Sequence, residues 1–216
     1  MRVLSHRFTI VAEFMMLVLM LAIIGCGGGD GDNENATISG QMNLPSNAIA
    51  LGGGGAPVAN TGFVVSNLEQ PNASSPTRFQ SIGSGTTDST GKYQSTVPQT
   101  SAALVIANGS QPSGPQQNKI VPVSGLMNLN QDTLSKNFDG TTTIACFAGW
   151  SAILDGPTNG GITAQQLTAQ RISNLESAAA PLVATTDFTN LDPTVPNSLL
   201  FSANRVRVLT DNGAHP

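Results

Sequence analysis

TTDSTGKYQSTVP, residues 86–98, combines the features of a tight turn with those of a β-strand. Asp88 can accept hydrogen bonds from the backbone of a tight turn, and Gly91 can adopt the positive φ that ends such a turn. Tyr93 and Val97 are four positions apart, an even offset, so they lie on one face of an extended strand. The pattern predicts a turn that leads directly into a strand with one buried face.

Short apolar runs separated by Gly, Pro, Asn and Ser clusters continue this pattern on both sides of the turn. AALVIA at 102–107 is apolar throughout, as expected of a buried strand. The other predicted strands lie at 36–42, 62–66, 78–82, 92–97 and, as the last one or two, within 119–129. About seven short strands at this spacing predict a β-sandwich.

The same residues resemble the carboxypeptidase regulatory-like domain, a family with a transthyretin-like β-sandwich. The resemblance covers about 36–110 and departs from the family at Thr61-Gly62-Phe63 and Gln41-Met42. It rests on ISG at 38–40, APVAN at 56–60, GFVV at 62–65, ALVIA at 103–107, and the matching residues Thr87, Asp88, Gly91, Tyr93, Val97 and Pro98. It implies a scaffold motif in an accessory module or spacer of a secreted or membrane-bound protein.

The apolar period changes near residue 138, which predicts a helical region over 138–216 after a sandwich over 36–137. TTTIACFAGWSAIL at 141–154 predicts the first helix, because Gly156-Pro157 is a strong helix stop. The second helix is predicted to start at Thr163, which forms a capping box with Gln166. The third helix is predicted to start at Asp192-Pro193, with Asp192 as the cap and Pro193 in the first turn. We therefore expect an α+β protein, a transthyretin-like sandwich of about seven strands followed by a small bundle of about three helices.

The N-terminal segment has the features of a bacterial export signal. Arg2 and Arg7 precede a run of 11 apolar residues, FMMLVLMLAII, at 14–24. As a helix this run rises about 16 Å, whereas a membrane span needs about 20 residues. The segment is therefore predicted to be the core of a signal peptide over residues 1–25.

Ile23-Ile24-Gly25-Cys26 resembles the bacterial lipobox, although a residue smaller than Ile24 is commoner in that family. The resemblance implies cleavage between Gly25 and Cys26, a diacylglycerol anchor on the Cys26 sulfur, and a fatty acid such as palmitate on the new amine. The small, polar and acidic residues over 26–35 would form a flexible tether, and Gly27 resembles an outer-membrane address. An ordinary secretory signal with an incidental Cys26, or an uncleaved anchor, is the alternative.

Composition limits the partners and the cysteine chemistry. The chain has 9 Lys and Arg residues and 13 Asp and Glu residues. The Lys and Arg residues are scattered along the chain, which argues against nucleic acid as a partner. If Cys26 carries lipid, Cys146 has no intramolecular partner, so no disulfide is expected. Cys146 lies in an apolar stretch and is predicted to be a buried small hydrophobe rather than a nucleophile.

No catalytic or metal-binding motif rises above background. A serine triad would depend on His215, and GWSAI at 149–153 lacks the final glycine of a nucleophile elbow. Asp30, Asp32 and Glu34 have the spacing of a calcium loop but lack its glycine and its final carboxylate. Trp150 lies on an apolar helix and is predicted to be core. We therefore expect no catalytic residue, no metal and no cofactor.

The expected function is that of a membrane-anchored envelope lipoprotein with a non-enzymatic structural, adhesive or accessory role. Its expected partners are the membrane, through lipid on Cys26, and an envelope protein or glycan. The alternative is a ligand-binding module that uses the sandwich loops to bind a glycan or a peptide. An enzyme of unrecognised type is a third hypothesis, and it would require a cleft with converging carboxylate, Ser or Lys groups.

Overall fold

The computed structural model describes residues 34–45, 55–68, 80–110, 119–131 and 133–211. Seven strands come first: β1 Asn35–Gln41, β2 Gly62–Asn67, β3 Gln80–Thr86, β4 Lys92–Pro98, β5 Ala103–Ser110, β6 Ile120–Met127 and β7 Thr133–Ser135. Three α-helices follow: α1 Gly140–Asp155, α2 Ala169–Ala179 and α3 Leu199–Asp211. The predicted α+β layout is confirmed. The predicted signal peptide with its cleavage site at Gly25 and Cys26, and His215, lie outside the described residues.

The strands form two sheets that face each other across an apolar core. The smaller sheet has the order β4-β1-β7, with β1 antiparallel to β4 and parallel to β7. The larger sheet has the order β3-β2-β5-β6 and is antiparallel throughout. Fully buried side chains of this region include Ile38, Met42, Phe63, Leu68 and Phe138. Apolar residues alternate with polar ones in β1 and β4, because only one face of the smaller sheet is buried.

The turn predicted around Asp88 is confirmed, and it joins the two sheets. One Asp88 carboxylate oxygen accepts from the Thr90 backbone N–H at 2.7 Å, the Thr90 hydroxyl at 2.7 Å and the Lys92 backbone N–H at 3.0 Å. Gly91 has φ +77°, and a Cβ there would lie 2.7 Å from the Met42 carbonyl oxygen. The turn therefore needs glycine both for its conformation and for this close approach.

Helix α1 begins and ends where the sequence predicts. The Asp139 carboxylate accepts from the backbone N–H groups of Thr141 at 2.8 Å and Thr142 at 3.1 Å, and Gly156 ends the helix with φ +65°. Residues on nearly every side of α1 are buried, because the helix lies between β6 and the other two helices. Among the described helices, none has the length and apolar character needed to span a bilayer.

The predicted starts of the other two helices are wrong. The capping box of Thr163 and Gln166 is present, but it caps a single 3-10 turn, and α2 starts at Ala169 after a second cap at Thr168. The chain leaves the helical path between them because the side chain of Leu167 turns into the core, where it is fully buried. A second N-cap is therefore needed before the long helix can begin.

The third helix also begins later than predicted. The Asp192 carboxylate accepts from the Thr194 backbone N–H at 2.9 Å and the Thr194 hydroxyl at 2.7 Å, which closes a local turn. Asn197 then adopts φ +64°, which no α-helix can accommodate. Helix α3 starts only after this residue, where the Ser198 hydroxyl accepts from the Phe201 backbone N–H at 3.2 Å.

Candidate functional site

The solvent side of the smaller sheet carries a regular array of polar side chains, all uncharged except Lys92. The strand register places two rows across β4, β1 and β7: Thr96, Thr37 and Thr133 in the first, then Gln94, Ser39 and Ser135 in the second. A third row contains Lys92 and Gln41. Neighbouring strands lie about 4.8 Å apart, and alternate residues along a strand lie about 6.7 Å apart. We call these eight residues, all exposed or half-buried, the polar face.

An open depression with a volume of about 540 Å³ lies at the end of the polar face that is nearest the turn. It is lined by Ser39, Gly40, Gln41, Asp88, Lys92, Tyr93, Gln94 and Asn137. The Asn137 side-chain oxygen accepts from the Gln41 backbone N–H at 3.0 Å, and the Gln41 side-chain NH₂ donates to the Thr90 carbonyl at 2.9 Å. Both amides are thereby held in fixed orientations.

Two groups of opposite charge, Asp88 and Lys92, line the depression. The Thr90 hydroxyl, together with the backbone N–H groups of Lys92 and Thr90, holds the pKa of the Asp88 carboxyl below its usual value. The Lys92 ammonium adds a smaller electrostatic effect in the same direction. Asp88 is therefore ionised at neutral pH, and its charge offsets that of Lys92.

Tyr93 forms the floor of the depression rather than a platform on its surface. Its side chain is buried, and its hydroxyl donates to the Lys136 carbonyl at 2.8 Å. The ring stacks on Phe138 with centroids 5.3 Å apart and meets Phe63 edge-on at 5.5 Å. Burial raises the tyrosine pKa well above its usual value. Tyr93 therefore stays a neutral core side chain, and its ring face is closed to a ligand.

Cys146 and Trp150 are core residues of α1, as the sequence predicts. Burial raises the pKa of the Cys146 thiol to about 12, although the Ser124 hydroxyl beside it and the charge of Lys136 act in the opposite direction. Trp150 is buried and packs edge-on against Phe147 with centroids 5.9 Å apart. Neither side chain is available to a ligand at the surface.

The other residues considered from the sequence as possible catalytic or metal-binding residues are not brought together into a site. The Ser151 hydroxyl lies within α1 and donates to the Ala148 carbonyl at 3.3 Å, so GWSAI is helix and not a nucleophile elbow. Glu34 is exposed, whereas Asp30 and Asp32 lie outside the described residues. Within the part of the chain that the structure describes, no three His, Cys, Asp or Glu residues form a group that could hold a metal ion.

The sequence prediction missed the polar face, although part of its signal was present. Polar residues alternate with apolar ones in T-I-S-G-Q at 37–41, and every second residue is polar in K-Y-Q-S-T at 92–96. Alternation gives the outward face of each strand, but it does not give the pairing of β1 with β4 and β7. The register, which aligns the rows, was therefore not predictable from either strand alone.

No protein-family model matches the chain, and no curated protein matches it. Among solved structures, the shaft pilin SpaA from Lactobacillus rhamnosus GG is similar over 49% of this chain and 48% of the pilin, with a TM-score of 0.33 and 12% identity. A 9R-lipoxygenase from Cyanothece PCC8801 is similar over 87% of this chain and 29% of its own, with a TM-score of 0.27 and 12% identity. The chain thus spans about half of the pilin.

Proposed function

We propose that the protein is an envelope lipoprotein held in the outer membrane by lipid on Cys26, with a non-enzymatic structural, adhesive or accessory role. The lipobox-like segment at 23–26 supports the anchor. In this proposal residues 26–35 serve as a flexible tether, and nine small polar residues after the cysteine would have a root-mean-square reach of about 17 Å. Two or three acyl chains would make such an anchor stable, because a single chain binds membranes only marginally.

The polar face is the observation that best supports a binding role for the folded residues. It offers hydroxyl and amide groups in a fixed array, which suits non-covalent contact with another envelope component. The turn at Asp88 and the buried Tyr93 are the scaffold features that the carboxypeptidase regulatory-like resemblance implies, and they support a role as an accessory module. In this proposal a sandwich over 36–137 is followed by a helical region over 138–216.

Metabolic labelling tests the anchor. Cells grown with an alkyne analogue of palmitate should incorporate the label into the full-length protein, and a Cys26→Ala variant should lose it. A Cys146→Ala variant is the matched control, since it removes the other cysteine and should keep the label. Label retained by Cys26→Ala, or lost from Cys146→Ala alone, would contradict the proposal.

A second candidate function is a ligand-binding module for a glycan or a peptide, and the depression beside Asp88 favours it. The test is co-sedimentation of the detergent-purified full chain with delipidated cell envelopes. Loss of binding after periodate oxidation of the envelopes would indicate a glycan, and loss after protease treatment would indicate a peptide or protein. Absence of co-sedimentation with untreated envelopes would exclude this function.

A further inference from the structure

We propose that the polar face is a binding site for an uncharged polysaccharide, which exchanges hydrogen bonds with its amide and hydroxyl groups. The inference rests on the second candidate function, because it assigns a site and a ligand class to that activity. Four observations favour this ligand over others: the fixed amides, the balanced charge, the width of the array and its position on the solvent side of the sheet.

The amides at the depression are oriented before any ligand arrives. The Asn137 side-chain oxygen is used by the Gln41 backbone N–H, which leaves the Asn137 NH₂ group to donate to a ligand. The Gln41 NH₂ group is used by the Thr90 carbonyl, which leaves the Gln41 oxygen to accept. A donor and an acceptor held in fixed positions suit a hydroxyl group, which both accepts and donates. Fixing them in advance lowers the entropy cost of binding.

The charges at the site balance each other. Lys92 is the cation and Asp88 the anion that line the depression, and the two rows beyond them contain only Thr, Ser and Gln. A strongly charged polymer gains nothing from such a surface, because attraction at one group is offset by repulsion at the other. The balance therefore favours an uncharged ligand.

The size of the array favours a polymer. The rows run across three strands and are about 10 Å wide. They continue the hydrogen-bonding surface from the depression at Gln41 to Thr37, two rows further along β1. A single sugar ring would fill only part of this surface. A chain of sugars could use both the depression and the rows.

The position of the polar face favours a glycan over a peptide. An extended peptide is usually bound by adding a strand to a sheet edge, through main-chain hydrogen bonds. The polar face instead presents side chains on the solvent side of its sheet, and the depression is lined mainly by residues of β1 and β4. This arrangement suits side-chain hydrogen bonds to sugar hydroxyl groups.

The test measures binding of the detergent-purified full chain to immobilised dextran, mannan and galactan, with alginate and heparin as acidic probes. We expect at least one neutral polysaccharide to bind, with little change between low and high salt. Gln94→Ala should weaken this binding about three- to tenfold, as expected for lost neutral hydrogen bonds. Gln170→Ala removes the same exposed side chain from α2, far from the polar face in the sequence, and should bind like the original protein.

A blocking variant separates the site from effects on folding. Ser135 is exposed on β7, so Ser135→Lys should leave the thermal midpoint unchanged while its long side chain reduces binding at least tenfold. Failure of all three neutral probes, binding of the acidic probes alone, or equal binding by Ser135→Lys and the original protein would overturn the site. If the Ser135→Lys variant still co-sediments with envelopes and this binding is lost after periodate treatment, the protein binds a glycan through a surface other than the polar face.

Discussion

At the scale of single residues, Cys146 shows how burial determines side-chain chemistry. An unperturbed thiol has a pKa of about 8.5, whereas burial raises that of Cys146 to about 12. In a Cys26→Ala background, we therefore expect no reaction of the folded protein with Ellman's reagent at pH 8, and a full equivalent of thiol after unfolding in urea. Rapid reaction of the folded protein would show that the thiol is exposed.

The same shift predicts the pH dependence of stability at Cys146. The folded state binds the thiol proton more tightly than the unfolded state does, so this contribution is fully present below a pH of about 8.5. It is lost as the pH rises toward about 12. Urea midpoints at pH 7.5 and pH 10 should therefore fall less in Cys146→Ala than in the original protein, and equal decreases would contradict the argument.

Residues whose roles are local were predictable, and residues whose roles depend on distant contacts were not. Asp88 and Gly91 were identified from the turn they occupy, since both act within a few residues of chain. That a Cβ at Gly91 would lie 2.7 Å from the Met42 carbonyl depends on a segment almost fifty positions earlier. The Asn137 contact with Gln41 joins residues 96 positions apart, so no local pattern contains it.

At the scale of elements, side chains of α1 and of Lys136 form hydrogen bonds with the outer edge of β6. The Thr143 hydroxyl accepts from the Ser124 backbone N–H at 3.1 Å, and Lys136 donates to the Leu126 carbonyl at 3.0 Å. Pro122, two residues before Ser124 on the same edge, has no N–H to satisfy, as expected of an edge strand. The edge is thereby protected from pairing with another chain.

We expect the N-cap of α1, Asp139, to stabilise the folded state. Asp139→Ala removes the acceptor for two backbone N–H groups, and we expect a loss of about 1–2 kcal/mol of unfolding free energy. Asp139→Asn is the matched control, because Asn caps about as well as Asp and should retain most of the stability. Urea unfolding measures both variants. Equal stability of Asp139→Ala and the original protein would show that the cap contributes nothing.

Helix starts were the weakest part of the sequence prediction, for a physical reason. The Thr163 capping box forms as its residues dictate, yet a cap satisfies only the first N–H groups and does not force the helix to continue. Continuation was decided by the burial of Leu167 and by the left-handed Asn197, which depend on tertiary packing and turn geometry. Within α3 itself, Leu199, Ala203 and Val206 recur at helical spacing and are all buried.

At the scale of the whole folded unit, polar contacts link the sandwich to the helices and the helices to one another. Lys136, which follows β7, donates to the Leu126 carbonyl of β6 and lies 2.5 Å from the Glu176 carboxylate of α2. Arg207 of α3 forms an ion pair with Asp155 at the end of α1. Unfolding either part would therefore expose or unpair groups of the other.

This coupling predicts one cooperative unfolding transition. The chain has one Trp and one Tyr, and Trp150 reports on α1 while Tyr93 reports on the sandwich. Trp150 fluorescence and Tyr93 absorbance should therefore give the same thermal midpoint. Lys136→Met should lower both midpoints together, because it leaves the Glu176 carboxylate without its cation. Two separate midpoints in the original protein would show instead that 36–137 and 138–216 unfold as independent domains.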